Sequence, residues 1–281
     1  MRTTPLRQAP EHIYRQPLQT AAQRVSNGTQ ESSAVARRSG RSAVCKYHGG
    51  VAPAKTIAIV QSNYLPWKGY FDLIRRVDEL VLLDDVQYTR RDWRNRNRFK
   101  TPNGPRWLTV PVNVKGLYHQ RIDEVVVSDA SWAERHWQTL TTWYGRAPFF
   151  DRYRPVLEAA YLGGTSPRLS SINRRLLETL CELFQIPTPL TSSADYEPQG
   201  SSTDRLISIC KAADATRYIS GPAARAYLDE GAFAAAGIEV SWMSYDGYRE
   251  YPQLYPPFDH HVSALDLLLS VGDDAGRFFL A

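Results

Sequence analysis

A chain of 281 residues, 43% of them hydrophobic, can bury a full core and is long enough for one large domain or a domain with an appendage. Its formal charge of +5 is unevenly held: residues 1–54 carry eight Lys/Arg against Glu11 and Glu31, a net of +6, which leaves 26 Lys/Arg against 27 Asp/Glu in residues 55–281. The basic character therefore belongs to the N-terminal segment and argues against nucleic acid as the partner of the remainder; with no run of roughly 18–20 uncharged apolar residues to span a membrane, a soluble, cytoplasmic protein is expected.

In chain order, residues 1–54 come first, rich in Gln, Ser, Arg and Ala and without a sustained apolar run, and they read as a disordered basic tail. An Arg- and Ser-rich leader also mimics an organellar transit peptide; a solvated arm, or a start placed upstream of a domain covering 55–281, fits as well. Buried strands are expected at 57–61 and 80–84 around a short helix at 67–76, then a β-hairpin from 94–100 and 106–112 around Thr101-Pro102-Asn103-Gly104-Pro105. Ile122 to Val127 reads as a further strand. Helices follow at 132–144, 152–161 and 168–185, the last ending before Pro187, and then helix 203–213, strand 217–220, helix 231–236 and strand 238–243. That alternation predicts an α/β fold, a mainly parallel, Rossmann-like sheet with helices on both faces and a small hairpin insertion.

Candidate chemistry gathers between Gln61 and Lys100. Gln61, Asn63 and Tyr64 place two amides and a phenol on the turn after the first strand, with Pro66 shaping it and Gly69 permitting close approach; ligand recognition or capping of the next helix would both use them. Asp84 and Asp85 close the second strand, with Gln87 just beyond. One carboxylate could act as a general base, or the pair could hold Mg²⁺ on a diphosphate; the other reading is a salt-bridge network with nearby arginines. Arg90 and Arg91 precede a stretch in which strand alternation puts Arg94, Arg96 and Arg98 on one face and Asn95 and Asn97 on the other, suited to phosphate oxygens and sugar hydroxyls respectively. A charged edge strand, or stacking of single-stranded nucleic acid on Trp93 and Trp107, is the alternative use. Ser220 and Gly221, before Pro222, could hold an anion at a helix start, or simply begin that helix.

Three cysteines, Cys45, Cys181 and Cys210, form no Cys-x-x-Cys pair, so neither structural zinc nor a disulfide framework is expected, and Cys181 and Cys210 read as buried thiols. His136, among Trp132, Trp137 and Trp143, reads as a packing histidine, and His260-His261 as a weak metal signal.

The string Gln61–Gly69, Asp84-Asp85-Val86-Gln87-Tyr88, Trp93–Arg98, His136-Trp137 to Pro148-Phe149-Phe150, Tyr218-Ile219-Ser220-Gly221 and Ser263–Leu268 resembles the WbqC-like family over about residues 56–280. The resemblance implies work on activated sugars, since family members are associated with O-antigen and other surface-polysaccharide gene sets. An enzyme transferring a group on a nucleotide-activated sugar or amino sugar is then expected, with a non-catalytic nucleotide-sugar-binding partner of a glycosyltransferase, or a tRNA or single-strand RNA binder, as the alternatives. The first βαβ unit is also similar to nucleotide-binding folds of the cytidylyltransferase and class I synthetase type. Pro66-Trp67-Lys68-Gly69 stands where those carry paired histidines, so nucleotidyl transfer itself is not implied.

Overall fold

The computed structural model describes residues 54–280. The expected disordered tail, and Cys45 within it, lie outside the described residues apart from Ala54. Five strands, β1 (Thr56–Val60), β2 (Glu79–Leu82), β5 (Leu190–Ser192), β6 (Arg217–Ser220) and β7 (Glu239–Trp242), form one parallel sheet in the order β5-β2-β1-β6-β7. A separate antiparallel hairpin pairs β3 (Arg96–Phe99) with β4 (Arg106–Thr109).

Both sheet faces are covered, which is why the central strands read as unbroken apolar runs. Ala58, Val60, Leu80 and Leu82 pack against α1 (Lys68–Ile74), α2 (Trp132–Tyr144), α3 (Phe150–Leu162), α4 (Leu169–Leu183) and α7 (Ala264–Val271). Ile57, Ile59, Val81 and Leu83 face α5 (Ser202–Ala212) and α6 (Glu230–Ala235), where Phe233 stacks on Tyr218 at 5.1 Å. Helix α4 shows why its segment is helical. Leu169, Ile172, Leu176, Leu177 and Leu180 recur at helical spacing and are all at most 1% exposed.

Several expected elements differ. Ile122–Val127 is not a strand: Ile122–Glu124 form a 3-10 turn, whose three-residue repeat buries both Ile122 and Val125, and pairing shrinks to isolated bridges at Val126 and Val127. The hairpin strands are shorter than expected at both outer ends, so Arg94 and Asn95 precede β3 in a turn and are both buried, outside the strand alternation. The helix after Ser220 is a five-residue 3-10 turn, Pro222–Ala226. Strand β5, three residues long, and helix α7 were not marked by the sequence periodicity.

Candidate functional site

Strand order reverses at β1: the chain runs outward through β2 and β5 on one side, then through β6 and β7 on the other. The loops leaving β1 and β6 therefore part above the sheet's carboxyl edge and leave a crevice, the usual ligand position in an open parallel sheet. A cleft of about 900 Å³, most of it open to solvent, occupies that place. Gln61 and Asn63 from the β1 loop, Ser220 and Gly221 from the β6 end, and Arg94 and Asn97 from the hairpin segment line it.

Arg94 is the principal charge on this wall. It is 4% exposed; one Nη donates to Asn63 Oδ1, the other lies 3.6 Å from Asp92 Oδ2, and Nε is buried without a hydrogen-bond partner. Asn173 on α4 anchors the floor, its amide donating to Ser62 Oγ at 3.1 Å and to the Arg94 carbonyl at 2.9 Å. The rest of the lining is largely aromatic: Trp67, Tyr70, Trp93, Tyr227 and Tyr245. His261 completes it, stacked on Trp67 at 13° between planes and 3.6 Å from Asp259. Burial pushes the Tyr227 phenol up to about 12 despite the opposing charge of Arg94.

The carboxylate pair diverges. Asp84 turns inward, its Oδ1 accepting the Ser62 N–H at 2.9 Å, and burial raises its pKa against the opposing Ser62 hydrogen bonds and the Arg94 charge. Asp85 turns toward β5 and α5, where it accepts from Ser193 Oγ at 2.7 Å and from Arg205. The pair therefore does not present two adjacent oxygens to one Mg²⁺, and among the described residues no group of three or more His, Cys, Asp or Glu is gathered to hold a metal.

Tyr64 does not reach the cleft either. Fully buried, it bonds His136 Nδ1 at 2.8 Å and Tyr161 Oη at 2.6 Å, with His136 Nε2 on the Thr109 carbonyl. His136 is thus the satisfied packing histidine the sequence suggested, pushed down to about 4 by burial. Asn95 and Asn97 spend their amide donors on backbone, at Val110 and at Tyr64 and Leu65. Gln87, Arg90, Arg91 and Arg96 lie outside the cleft: Gln87 donates to the Tyr118 carbonyl, Arg90 to Val114 and Arg96 to Arg91. Cys181 and Cys210 are buried free thiols, both pushed up to about 12 by burial.

The C-terminal segment was the part of the site that sequence reasoning missed. Tyr245 and His261 arrive from far along the chain: Tyr245 packs on Trp67 at 5.1 Å, and His261 is delivered by backbone bonds from Ser263 N to the Arg98 carbonyl at 2.9 Å and from Ala264 N to the Pro66 carbonyl at 2.8 Å. Asp92 and Trp67 sit inside motifs the sequence reading had marked, but only as neighbours of other residues.

Comparison with known proteins agrees with this architecture's motif string. A family model described as the WbqC-like protein family matches residues 61–278. The uncharacterized protein Rv1507c of Mycobacterium tuberculosis (strain ATCC 25618 / H37Rv) is 50% identical over 221 residues, covering 79% of this chain and 96% of that relative. No solved structure matches. With the match running through the cleft loops, the hairpin and α7 alike, this chain belongs to the WbqC-like protein family.

Proposed function

We propose that the cleft between the β1 and β6 loops binds a nucleotide-activated sugar or amino sugar, and that the protein transfers a group to or from it as an enzyme of bacterial surface-polysaccharide biosynthesis. The observation that carries this reading is Arg94: a guanidinium 4% exposed, with a buried, unpartnered Nε, on the wall of an otherwise aromatic cleft. A fixed guanidinium suits phosphate oxygens, aromatic walls suit a nucleobase, and Gln61, Asn63 and Ser220 offer hydrogen bonds to sugar hydroxyls. The family's association with polysaccharide gene sets supports the pathway.

In this reading Asp84, behind the cleft lining but within electrostatic reach of Arg94 and Tyr70, is the carboxylate assigned to proton transfer, relayed to the ligand and not direct, since Asp85 is engaged by Arg205 and Ser193. A second reading, a non-catalytic nucleotide-sugar-binding partner of a glycosyltransferase, is favoured by the Ser62 N–H that already occupies one Asp84 oxygen.

Thermal shift with a panel of nucleoside diphosphate sugars tests the binding. A ligand that raises the midpoint in the wild type and loses roughly tenfold or more in affinity in Arg94→Gln supports it, and a panel with no response overturns it. Mass spectrometry of the bound sugar after incubation with candidate acyl and amine co-substrates separates the two readings: conversion that disappears in Asp84→Asn marks the enzyme, and binding without conversion marks the partner protein.

A further inference from the structure

Charge is unevenly divided along residues 55–281. Residues 90–121 hold nine Lys/Arg and the single Asp92, a net of +8, which leaves the rest of residues 55–281 with 17 Lys/Arg against 26 Asp/Glu, a net of −9. Within the basic segment, Arg94 and Lys100 are buried, and Arg98 and Arg121 pair with Asp259 and with Asp123 and Glu124. The other five, Arg90, Arg91, Arg96, Arg106 and Lys115, pair with no carboxylate among the described residues.

Exposed large apolar side chains collect on the same segment. Trp107 is 45% exposed, Leu117 48% and Tyr118 68%. They are joined to the cations by contact: the Arg90 guanidinium lies 5.3 Å over Tyr118, Arg96 lies 4.3 Å over Trp107, and Arg96 donates to the Arg91 carbonyl between them. A tight turn, with Leu117 N on the Val114 carbonyl and Gly116 at φ +76°, pushes Leu117 and Tyr118 outward. Trp107 in turn meets Trp93, on the cleft wall, at 5.1 Å.

We propose that this ridge docks the protein on an anionic lipid bilayer surface, with Trp107, Leu117 and Tyr118 entering the headgroup layer and Arg90, Arg91 and Arg96 facing lipid phosphates. Exposed aromatic rings in contact with guanidinium groups, with an exposed aliphatic side chain next in sequence, match the chemistry of the membrane–water interface. Leu117 chooses this occupant over single-stranded nucleic acid, because an aliphatic tip offers nothing to a stacked base. The net-negative remainder adds nothing to the attraction, so the basic segment sets the contact, and the Trp107–Trp93 contact puts the cleft wall beside it.

The test uses the full chain and tryptophan fluorescence, because residues 1–54 contain no tryptophan and vesicle capture by that basic segment alone leaves the signal unmoved. Vesicles of brominated phosphatidylcholine, with and without phosphatidylglycerol, are titrated into wild type, Trp107→Phe and the double variant Leu117→Ser/Tyr118→Ser. Quenching is expected only with phosphatidylglycerol; Trp107→Phe removes more than half of it, and the double variant weakens association by roughly tenfold with an unchanged far-UV circular dichroism spectrum. The proposal is overturned by association without quenching, by quenching that is equal in Trp107→Phe, or by a tryptophan response to single-stranded oligonucleotide with none to vesicles. Because the readout is vesicle association, it stands or falls separately from nucleotide-sugar binding.

Discussion

Ser62 N–H and Asp84 Oδ1, 2.9 Å apart and both buried, tie the first residues beyond β1 to the first beyond β2. That bond fixes the floor of the cleft, and it sets the behaviour of the carboxylate. Replacing Asp84 by Asn keeps the acceptor, while Ala leaves a buried N–H unpaired at a cost of about 1–3 kcal/mol. Urea unfolding below about pH 4, where Asp84 is protonated, should therefore rank wild type and Asp84→Asn close together and Asp84→Ala well below.

The same residue predicts a pH dependence. Burial raises the folded pKa of Asp84 above its ordinary 3.8, so the folded state holds the proton more tightly than the unfolded chain. Its contribution to stability is fully present below the unfolded value and is lost as pH rises through the folded one. Asn mimics the protonated form at every pH, so the stability of Asp84→Asn relative to wild type should climb as pH rises from about 3.8. A difference that is flat with pH would mean that Asp84 titrates as it does in the unfolded chain.

Asp85 belongs to the scaffold joining β2, β5 and α5. With 13% and 20% side-chain exposure, Asp85 and Arg205 form a partly buried pair, and Asp85→Ala should cost about 1–3 kcal/mol by leaving Arg205 and Ser193 without their acceptor. Ligand affinity per folded molecule should stay unchanged, measured by calorimetry on protein that retains its native circular dichroism spectrum.

Lys68 is 2% exposed, among the rings of Tyr248, Tyr251 and Phe258, with its ammonium donating to the Arg249 carbonyl at 3.2 Å. Burial pushes it down to about 8 against the raising influence of Asp266, Asp72 and Glu250. A lowered lysine pKa means that the unfolded chain binds more protons between the two values, so stability rises with pH across that window. Wild type should gain stability relative to Lys68→Met between about pH 8 and 10.5, read from denaturation midpoints, and the gain should be absent below pH 7.

Much of the fold was legible because it rests on local pattern. The runs Ile57–Val60 and Leu80–Leu83 announced covered strands, and the spacing of Leu169, Ile172, Leu176 and Leu180 announced α4. Where the pattern was too short, as in three-residue β5, or matched two periods, as at Ile122–Val127, it failed. The cleft was half legible: Gln61, Asn63, Ser220 and Gly221 lie at the β1 and β6 ends, where the strand alternation pointed, whereas Arg94 and Asn97, expected on opposite faces of one strand, line it together. Tyr64 was misleading because a phenol on a turn is equally suited to an internal bond with His136, and which way it points depends on tertiary packing. His261 could not be tied to the cleft because its position depends on a chain crossing that no local signal encodes.

Gly69 gives a prediction about the wall itself. A Cβ there would lie 2.2 Å from the Trp67 ring, so Gly69→Ala must displace a side chain already packed by Tyr245, Tyr248 and His261. The expected result is a loss of about 1–3 kcal/mol and an altered near-UV circular dichroism spectrum, with weaker binding of any ligand that fills the cleft.

The bond from Ala264 to the Pro66 carbonyl joins positions about 200 residues apart, and such distant closures form late, after much of the chain has collapsed. A nascent chain still on the ribosome therefore carries the glutamine–asparagine turn, the hairpin and most of the sheet before the side of the cleft formed by Tyr245 and His261 is in place. Until α7 has been made and that bond has closed, the cleft is an open trough, so the geometry set up by the first strand is completed only by residues far along the chain.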